Sequence, residues 1–524
     1  MPDWFRKVAE SPTNPRRTEG ARKFDVADLY AGPVEARGEA PANAALDEKL
    51  RQAYFWIVNS AIISPYYDIE YNDGPAQSFV FGDQKSAVTL PSDQSYSSFV
   101  LMPLLNLVLR KRCLLVGGPG RGKTASAILM GLIAGYSIRD VRRAIQHGQP
   151  QMTISDLLGN PLPSTLVNAK SADDIQISWR KWLGMRVKII DEYNRIPTRT
   201  QSALLTVLAD NYAEILDQIF ECPDSAWYLT ANDDAGGGTY QVIEALRDRL
   251  DIVVKALHFN TRFLGDLLAR IEQEVKPEQI IPQQIIFTER EIDDAHRQIL
   301  AVAIEPKLRR RIEFFASHFE FCEPAAAQIE YKTKDTVKLA AIDFNLLVGA
   351  ETGKDKVRDL GSQTTNGLSV RSLMTLLAFA KALAWFRGSG EVSFDDVRQV
   401  LPFVLHDKLT QHADSPFFEQ AGHAVFRTDK VGWIRRLFDL SCAEYDRLGL
   451  DKDDAVAVEE TEFARGLEGL PENEVRARLV RIERALASWS KAGKFYGHMF
   501  DDVLKMKYFH QRYTNYLKWL KFKR

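Results

Sequence analysis

The sequence predicts an α/β domain built on a parallel sheet, followed by an all-α region that runs to the end of the chain. Three observations carry this. Between residues 96 and 257 short apolar strands alternate with helix-forming stretches, the pattern of a parallel sheet covered by helices. One strand runs through a glycine-rich turn into a small-residue helix in LLVGGPGRGKTASAILM, residues 114–130. Beyond residue 260 the strands fade and apolar residues recur at helical spacing.

The bulk numbers fit such a chain. At 524 residues it is too long for one core, and two to four domains are expected. Its 45% hydrophobic and 26% charged residues are those of a soluble globular protein. A net charge of −2 exerts no global pull toward nucleic acid or anionic membrane. Cys113, Cys222, Cys322 and Cys442 form no CxxC pair, which argues against a zinc site or a disulfide framework and fits a reducing compartment. The opening MPDWFRKVAESPTNPRR has no apolar signal core, and the apolar stretch 101–109 is too short to span a bilayer. No integral membrane segment and a cytoplasmic location are therefore expected. There is no HExxH and no G-x-S-x-G, and the nine histidines are scattered.

Taken in order, residues 1–45 are rich in Pro, Gly, Ala and charge and read as a loosely ordered arm. Residues 46–95 hold a helix, marked by Leu46, Leu50, Tyr54, Ile57 and Ala61, and a connecting segment with a turn and a short strand. Its DIEYNDG brushes against a calcium-loop pattern. The glycine comes one place late and Phe79 stands where the last glutamate belongs, so that reading is rejected. Residues 96–260 form the α/β core, with CLLVG, QMTI, VKIID, AWYLTA and DIVVKAL as strands. Residues 261–415 carry five amphipathic helices, among them VRSLMTLLAFAKALAWF and FDDVRQVLPFVL; Ser393 and Asp396 supply a capping box for the last. Residues 416–524 stay helical, interrupted at LGLDKDDAVAVEET and GLPENE.

Gly117, Gly118, Pro119, Gly120, Arg121, Gly122, Lys123 and Thr124 fit G-x-x-x-x-G-K-[ST]. Glycines let backbone N–H groups turn inward around a phosphate, and the following helix aims its positive end at the same anion. Lys123 would reach the β- and γ-phosphates, and the Thr124 hydroxyl would bind Mg2+. VKIIDEYNRIP then ends a strand in Asp191 and Glu192, at the sheet edge where ligands of open α/β sheets bind. Asp191 would hold Mg2+ through water, and Glu192 would orient and deprotonate the attacking water. AWYLTANDD ends a further strand at Asn232, whose amide could bridge that water and the γ-phosphate. In EALRDRLD, Arg247 and Arg249 read either as a solvated face or as a source of a trans-acting arginine.

With these motifs in this order, the sequence resembles an AAA+ ATPase and, within that superfamily, the MoxR family. The similarity runs from about residue 85 to 412. DEYNRIPTRTQSALL, QMTISDLLGNPLP, GGGTYQVIEALRDRLD and GLSVRSLMTLLAFAKALAWFRGSGEVSFDDVRQVLPFVLHDKL carry it. The chain has QVI where the family has P-L-P, and HDKL where it has H-R. The resemblance implies an AAA+ αβα nucleotide-binding core, a helical lid and, here, a helical C-terminal extension. It implies roles for Lys123, Thr124, Asp191, Glu192 and Asn232, with Arg249 as the arginine finger (Arg247 second) and Arg371 at the sensor 2 place. It also implies ATP and Mg2+, a homo-oligomeric ring of hexamer type, remodelling of a client protein, and a partner with a von Willebrand factor A domain. Two rival readings are an AAA+ motor of a McrB-like restriction complex and a non-hydrolysing scaffold gated by ATP.

The last residues, KMKYFHQRYTNYLKWLKFKR, carry seven Lys or Arg and no acid after Asp502. Their interleaved aromatics read first as a helix packed by Phe509, Tyr513, Tyr516 and Leu520. Single-stranded nucleic acid and a membrane surface are the alternatives.

Overall fold

The computed structural model describes residues 45–82, 86–167, 169, 174–232, 244–272, 277–321, 333–334, 359–491 and 497–522. The chain divides into two units, residues 1–302 with 381–390, and residues 303–380 with 391–524.

In the first unit, helix α1 (Leu46–Trp56) packs by Leu50, Ala53 and Tyr54 and ends in a π turn, Ile57–Ala61. A short antiparallel stem, Ile69–Glu70 with Ser95–Tyr96, carries the hairpin Gln77–Phe81 with Ser86–Leu90. Helix α2 (Ser98–Leu109) is buried at every residue, as a helix that is apolar all round must be. Its one amide, Asn106, donates to the Trp227 carbonyl at 3.1 Å.

The sheet strands are β1 (Arg112–Val116), β2 (Gln146–His147), β3 (Val187–Asp191), β4 (Ala226–Ala231) and β5 (Ile252–Lys255). They lie in the order β5-β1-β4-β3-β2, every neighbour parallel. Helix α3 (Lys123–Ile133) follows β1, and α4 (Ile138–Ala144) leads to β2. Leu114, Ile190, Trp227, Leu229 and Val253 from the strands share one core with Trp182, Leu204 and Leu208. The register sets Val116 beside both Ala231 and Lys255, and Asp191 beside His147. All the strand ends that matter for chemistry therefore come out at one edge.

One expected strand is absent. QMTI, residues 151–154, is a turn followed by the start of helix α5 (Ile154–Leu158). Thr153 caps that helix, and Asp156 returns the bond in a complete capping box. Thr-x-x-Asp therefore outweighs the strand propensity of Met, Thr and Ile, and the edge strand forms earlier, at Gln146–His147. Beyond it come α6 (Thr198–Asp210), α7 (Glu244–Arg249), α8 (Leu264–Glu272) and α9 (Glu289–Ala301).

The second unit is helical: α10 (Pro306–Ser317), α11 (Val370–Phe386, whose end from Lys381 belongs to the first unit), α12 (Phe394–Leu405), α13 (Lys430–Leu448), α14 (Ala455–Ala464), α15 (Glu472–Trp489) and α16 (Gly497–Phe522). Ser393 and Asp396 form the expected capping box on α12. The expected break over LGLDKDDAVAVEET is narrower than its composition implies. Gly449 turns at φ 68, a short helix Leu450–Asp453 follows, and Asp454 caps α14 through Val456 and Ala457 N–H. In α16, Met506, Phe509 and Tyr513 pack with Val456, Val475 and Ile482. Tyr516 and Leu517 lie partly buried against that cluster, whereas Trp519 and Phe522 are exposed.

Candidate functional site

The loop after β1 is shaped by glycines with positive φ: Gly117 at 154, Gly120 at 72 and Gly122 at 76. At Gly117 a Cβ would also meet the Ala256 carbonyl at 2.6 Å, so only glycine lets β5 approach this closely. Lys123 opens α3 and is 7% exposed. Its ammonium donates to the carbonyls of Gly117 (2.6 Å) and Gly118 (2.8 Å) and to Asn232 Oδ1 (3.0 Å). Three donors find three acceptors, which is how a buried ammonium is kept charged. Arg121 turns outward instead, donating to the Ala256 carbonyl at 3.0 Å and meeting His258 Nδ1 at 3.0 Å.

The neighbouring strand ends bring the carboxylates to this loop. Thr124 Oγ1 donates to Asp191 Oδ1 at 2.7 Å, and Thr230 Oγ1 donates to the same oxygen at 2.6 Å. His147 Nδ1 stands 3.4 Å from the other oxygen. Thr230 also accepts the Glu192 N–H at 2.9 Å, pinning the backbone where Glu192 takes a left-handed φ of 54. Such a φ is uncommon outside glycine and points the side chain away from the path of the strand. Glu192 Oε1 accepts from Asn232 Nδ2 at 3.0 Å, and its Oε2 lies 3.2 Å from Arg195 Nε. Lys123, Asn232 and Glu192 thus form one continuous chain of polar contacts. Gly148 backs it: a Cβ there would meet the Glu192 carbonyl at 2.2 Å.

The donors fit Mg2+. That ion takes few protein ligands and completes its shell with water and substrate phosphates; a hydroxyl and a carboxylate beside a phosphate loop supply what it needs. Among the described residues no cluster of three or more His, Cys, Asp or Glu forms a self-sufficient metal cage.

Beside the loop opens a cavity of about 950 Å3, lined among others by Ile63, Asp68, Ser98, Gly120, His258 and Arg270. It lies at the upper end of the range for small-molecule sites. Its wall is tied together. Ser98 donates through N–H (2.8 Å) and hydroxyl (2.7 Å) to the two Asp68 oxygens, and Arg270 donates to the Asn59 carbonyl at 2.7 Å.

Comparison with known proteins meets this geometry. Residues 112–252 match the ATPase family associated with various cellular activities (AAA), and residues 361–427 match the AAA lid domain. Over 319 residues the chain is 24% identical to Chaperone MoxR1 of Mycobacterium tuberculosis, covering 60% of this chain and 71% of that one. Residues 112–252 are thus an AAA-type ATPase domain and residues 361–427 an AAA lid, and the chain is similar to the MoxR family. A crystallised ATPase candidate from Cytophaga hutchinsonii is also similar, at 19% identity and a TM-score of 0.43 over 63% of this chain and 88% of that one.

In this MoxR-like chain the structure joins Lys123, Asn232 and Glu192 in one set of hydrogen bonds and Thr124 with Asp191 in a second, both at the same sheet edge. Arg249 ends α7, ahead of β5, and so stands at the opposite edge of the sheet. Arg247 is exposed in the same helix. Arg371 is the second residue of α11, in the second unit. Residues 233–243, with GGGTY, lie outside the described residues. Reading the sequence missed His147, Gly148, Thr230 and the cavity wall. Of these only Gly148, in HGQP, carried a local signal, a glycine following a short strand.

Proposed function

We propose that this chain hydrolyses Mg-ATP within a ring of identical subunits, of hexamer type, and spends the cycle on remodelling or activating a client protein. The observation that carries the proposal is the contact chain Lys123–Asn232–Glu192, set beside Thr124–Asp191 at one sheet edge. A nucleotide would enter with its base and ribose in the 950 Å3 cavity and its phosphates over residues 117–124. Lys123 then exchanges the Gly117 and Gly118 carbonyls for β- and γ-phosphate oxygens. Thr124 and, through water, Asp191 would hold Mg2+, which when bound neutralises charge on the phosphates. Glu192 orients a water and takes its proton, and Asn232 fixes that water against the γ-phosphate. Arg249 from a neighbouring subunit would stabilise the transferring phosphoryl group, and Arg371 would couple it to the lid.

Remodelling is supported by the relative named as a chaperone, and a von Willebrand factor A domain partner by the family resemblance alone. The test is steady-state ATPase activity together with solution mass, for the wild type, Glu192→Gln and Arg249→Ala. Both variants are expected to lose turnover while Glu192→Gln still assembles with ATP. Background turnover by the wild type, with assembly intact, would replace the motor with an ATP-gated scaffold.

A further inference from the structure

Arg270, on α8, lines the cavity beside the phosphate loop. Its Nη2 donates to the Asn59 carbonyl at 2.7 Å. Its Nη1 is buried from solvent and meets no hydrogen-bond partner among the described residues. Asn59 belongs to the π turn Ile57–Ala61 that ends α1, so its carbonyl is among the last of the helix and is open to a side chain. Asn59 Nδ2 is likewise buried without a partner among the described residues. This corner of the wall therefore holds two donors in want of an acceptor. Burial pulls the Arg270 pKa below the usual arginine range, and Asp266 offsets only part of that. Buried donors left in this state are rare in folded proteins, and each calls for an explanation.

The rest of the cavity indicates what the acceptor belongs to. Gly120, Arg121 and Gly122 of the phosphate loop line one part of it, so a nucleotide with its phosphates on that loop turns its sugar and base toward the remaining wall. Ile62, Ile63, Leu257 and Leu267 share that wall with Arg270, and apolar surfaces of this kind suit the faces of a flat ring. The edge of the ring is then what meets the guanidinium. On adenine the exocyclic amine is itself a donor, and the ring nitrogens are the acceptors.

We propose that Arg270 is a specificity-determining residue of the nucleotide site, its Nη1–H donating to a ring nitrogen of the base while the Asn59 carbonyl holds the guanidinium in place. The inference rests on the nucleotide reading of the cavity given above and names the residue that reads the base. A guanidinium carries its donors in a rigid fork, so an arm clamped on Asn59 sets the direction of the other. A base without the matching nitrogen leaves Nη1 unpaired again. A polar group stranded in that way is what lets a site reject the wrong ligand.

The test is equilibrium binding to the full chain, wild type and Arg270→Met, of ATP, of the three deaza analogues in which one ring nitrogen of adenine (N1, N3 or N7) becomes C–H, and of 2′-deoxy-ATP. For the wild type, one deaza analogue is expected to bind about tenfold more weakly than ATP, the worth of one charge-assisted hydrogen bond. For Arg270→Met that analogue and ATP should bind alike. The ratio is taken within each protein, so a variant that merely shifts α8 and weakens every ligand does not move it. Arg270→Lys, which keeps the cation without the fork, should shrink the same ratio and decides the matter if Arg270→Met does not fold. Equal wild-type affinities for ATP and all three deaza analogues, or a loss that both variants retain in full, overturns the assignment while leaving ATP in the cavity. A loss confined to 2′-deoxy-ATP overturns it too, by placing the guanidinium on the sugar. A wild type that binds no ATP sinks the nucleotide reading and this inference with it.

Discussion

Asn232 is the residue whose replacement separates the proposed mechanism from a merely structural site. It accepts from Lys123 at 3.0 Å and donates to Glu192 at 3.0 Å, so it holds both the phosphate-binding and the water-activating group. Asn232→Ala removes one acceptor from Lys123, which keeps two carbonyls. The competitor for the ammonium is gone, and ATP affinity should stay level or rise by up to about tenfold, the worth of one charge-assisted hydrogen bond. Glu192 loses its aim, and loss of a positioned polar group in a transition state costs about 10²–10³ in rate. Asn232→Asp should behave differently. It sets a second carboxylate beside Glu192 and gives Lys123 a partner whose attraction at ~3 Å is about 5 kcal/mol at an effective dielectric of 20. ATP binding should then weaken by at least about tenfold. Equilibrium binding of a fluorescent analogue and single-turnover hydrolysis separate the two effects. If Asn232→Ala weakens binding tenfold with turnover intact, the bridge is only a support for the loop.

Three further outcomes follow from other parts of the molecule. Gly148→Ala drives a Cβ to 2.2 Å from the Glu192 carbonyl; turnover should fall steeply with ATP binding kept, and thermal unfolding should report about 1–3 kcal/mol of overpacking. Arg310 is 8% exposed and pairs with Asp454 and, at 3.1 Å, with Asp502. Arg310→Ala leaves the buried Asp454 and the largely buried Asp502 without their cation and should cost about 3–5 kcal/mol, read from the urea midpoint, whereas Arg310→Met/Asp454→Asn/Asp502→Asn should cost less. His498 sits 4.5 Å from the Phe314 ring and 5.0 Å from His318, and burial lowers its pKa to about 4. The unfolded chain binds a proton near pH 6.5 that the fold refuses, so stability falls as pH drops from 6.5 toward 4. Asp501, raised by burial to about 6, gains stability over the same acid range and offsets part of the loss, whereas His318, also held well below the usual histidine range by burial, adds to it. Comparison with His498→Phe cancels Asp501 and should expose about 2 kcal/mol between pH 7 and 5.

The parts of this molecule that were legible were those where local chemistry and fold agree. Ser393 and Asp396 mark a helix start because a capping box needs nothing outside four residues. The phosphate loop was legible for the same reason: strand, glycines and lysine are contiguous. QMTI was misread because a capping threonine and a strand threonine look alike until the aspartate three residues on is weighed. Thr230 and His147 were invisible for a different reason. Each acts through register, Thr230 on the strand beside Asp191 and His147 directly opposite it, and register belongs to the sheet, not to any stretch of sequence.

Register also decides what one chain can do alone. The phosphate loop leaves β1 after Val116, whereas Arg249 precedes β5, whose Ile252 pairs with Cys113 near the start of β1. The five residues of β1 lie between them, about 16 Å at the rise of a parallel strand, before the loop itself is crossed. Asp251 is fixed at that far edge, its N–H donating to the Arg112 carbonyl and its carboxylate accepting from Arg112 N–H. Arg249 stands two residues before that clamp. A guanidinium so placed cannot swing across the sheet to its own Lys123, so any action on phosphate must fall on another chain's nucleotide. In mixed assemblies, Lys123→Ala chains with intact arginines should therefore restore turnover at the intact loops of Arg249→Ala chains. An inactive mixture, with each variant still assembling, would refute the placement.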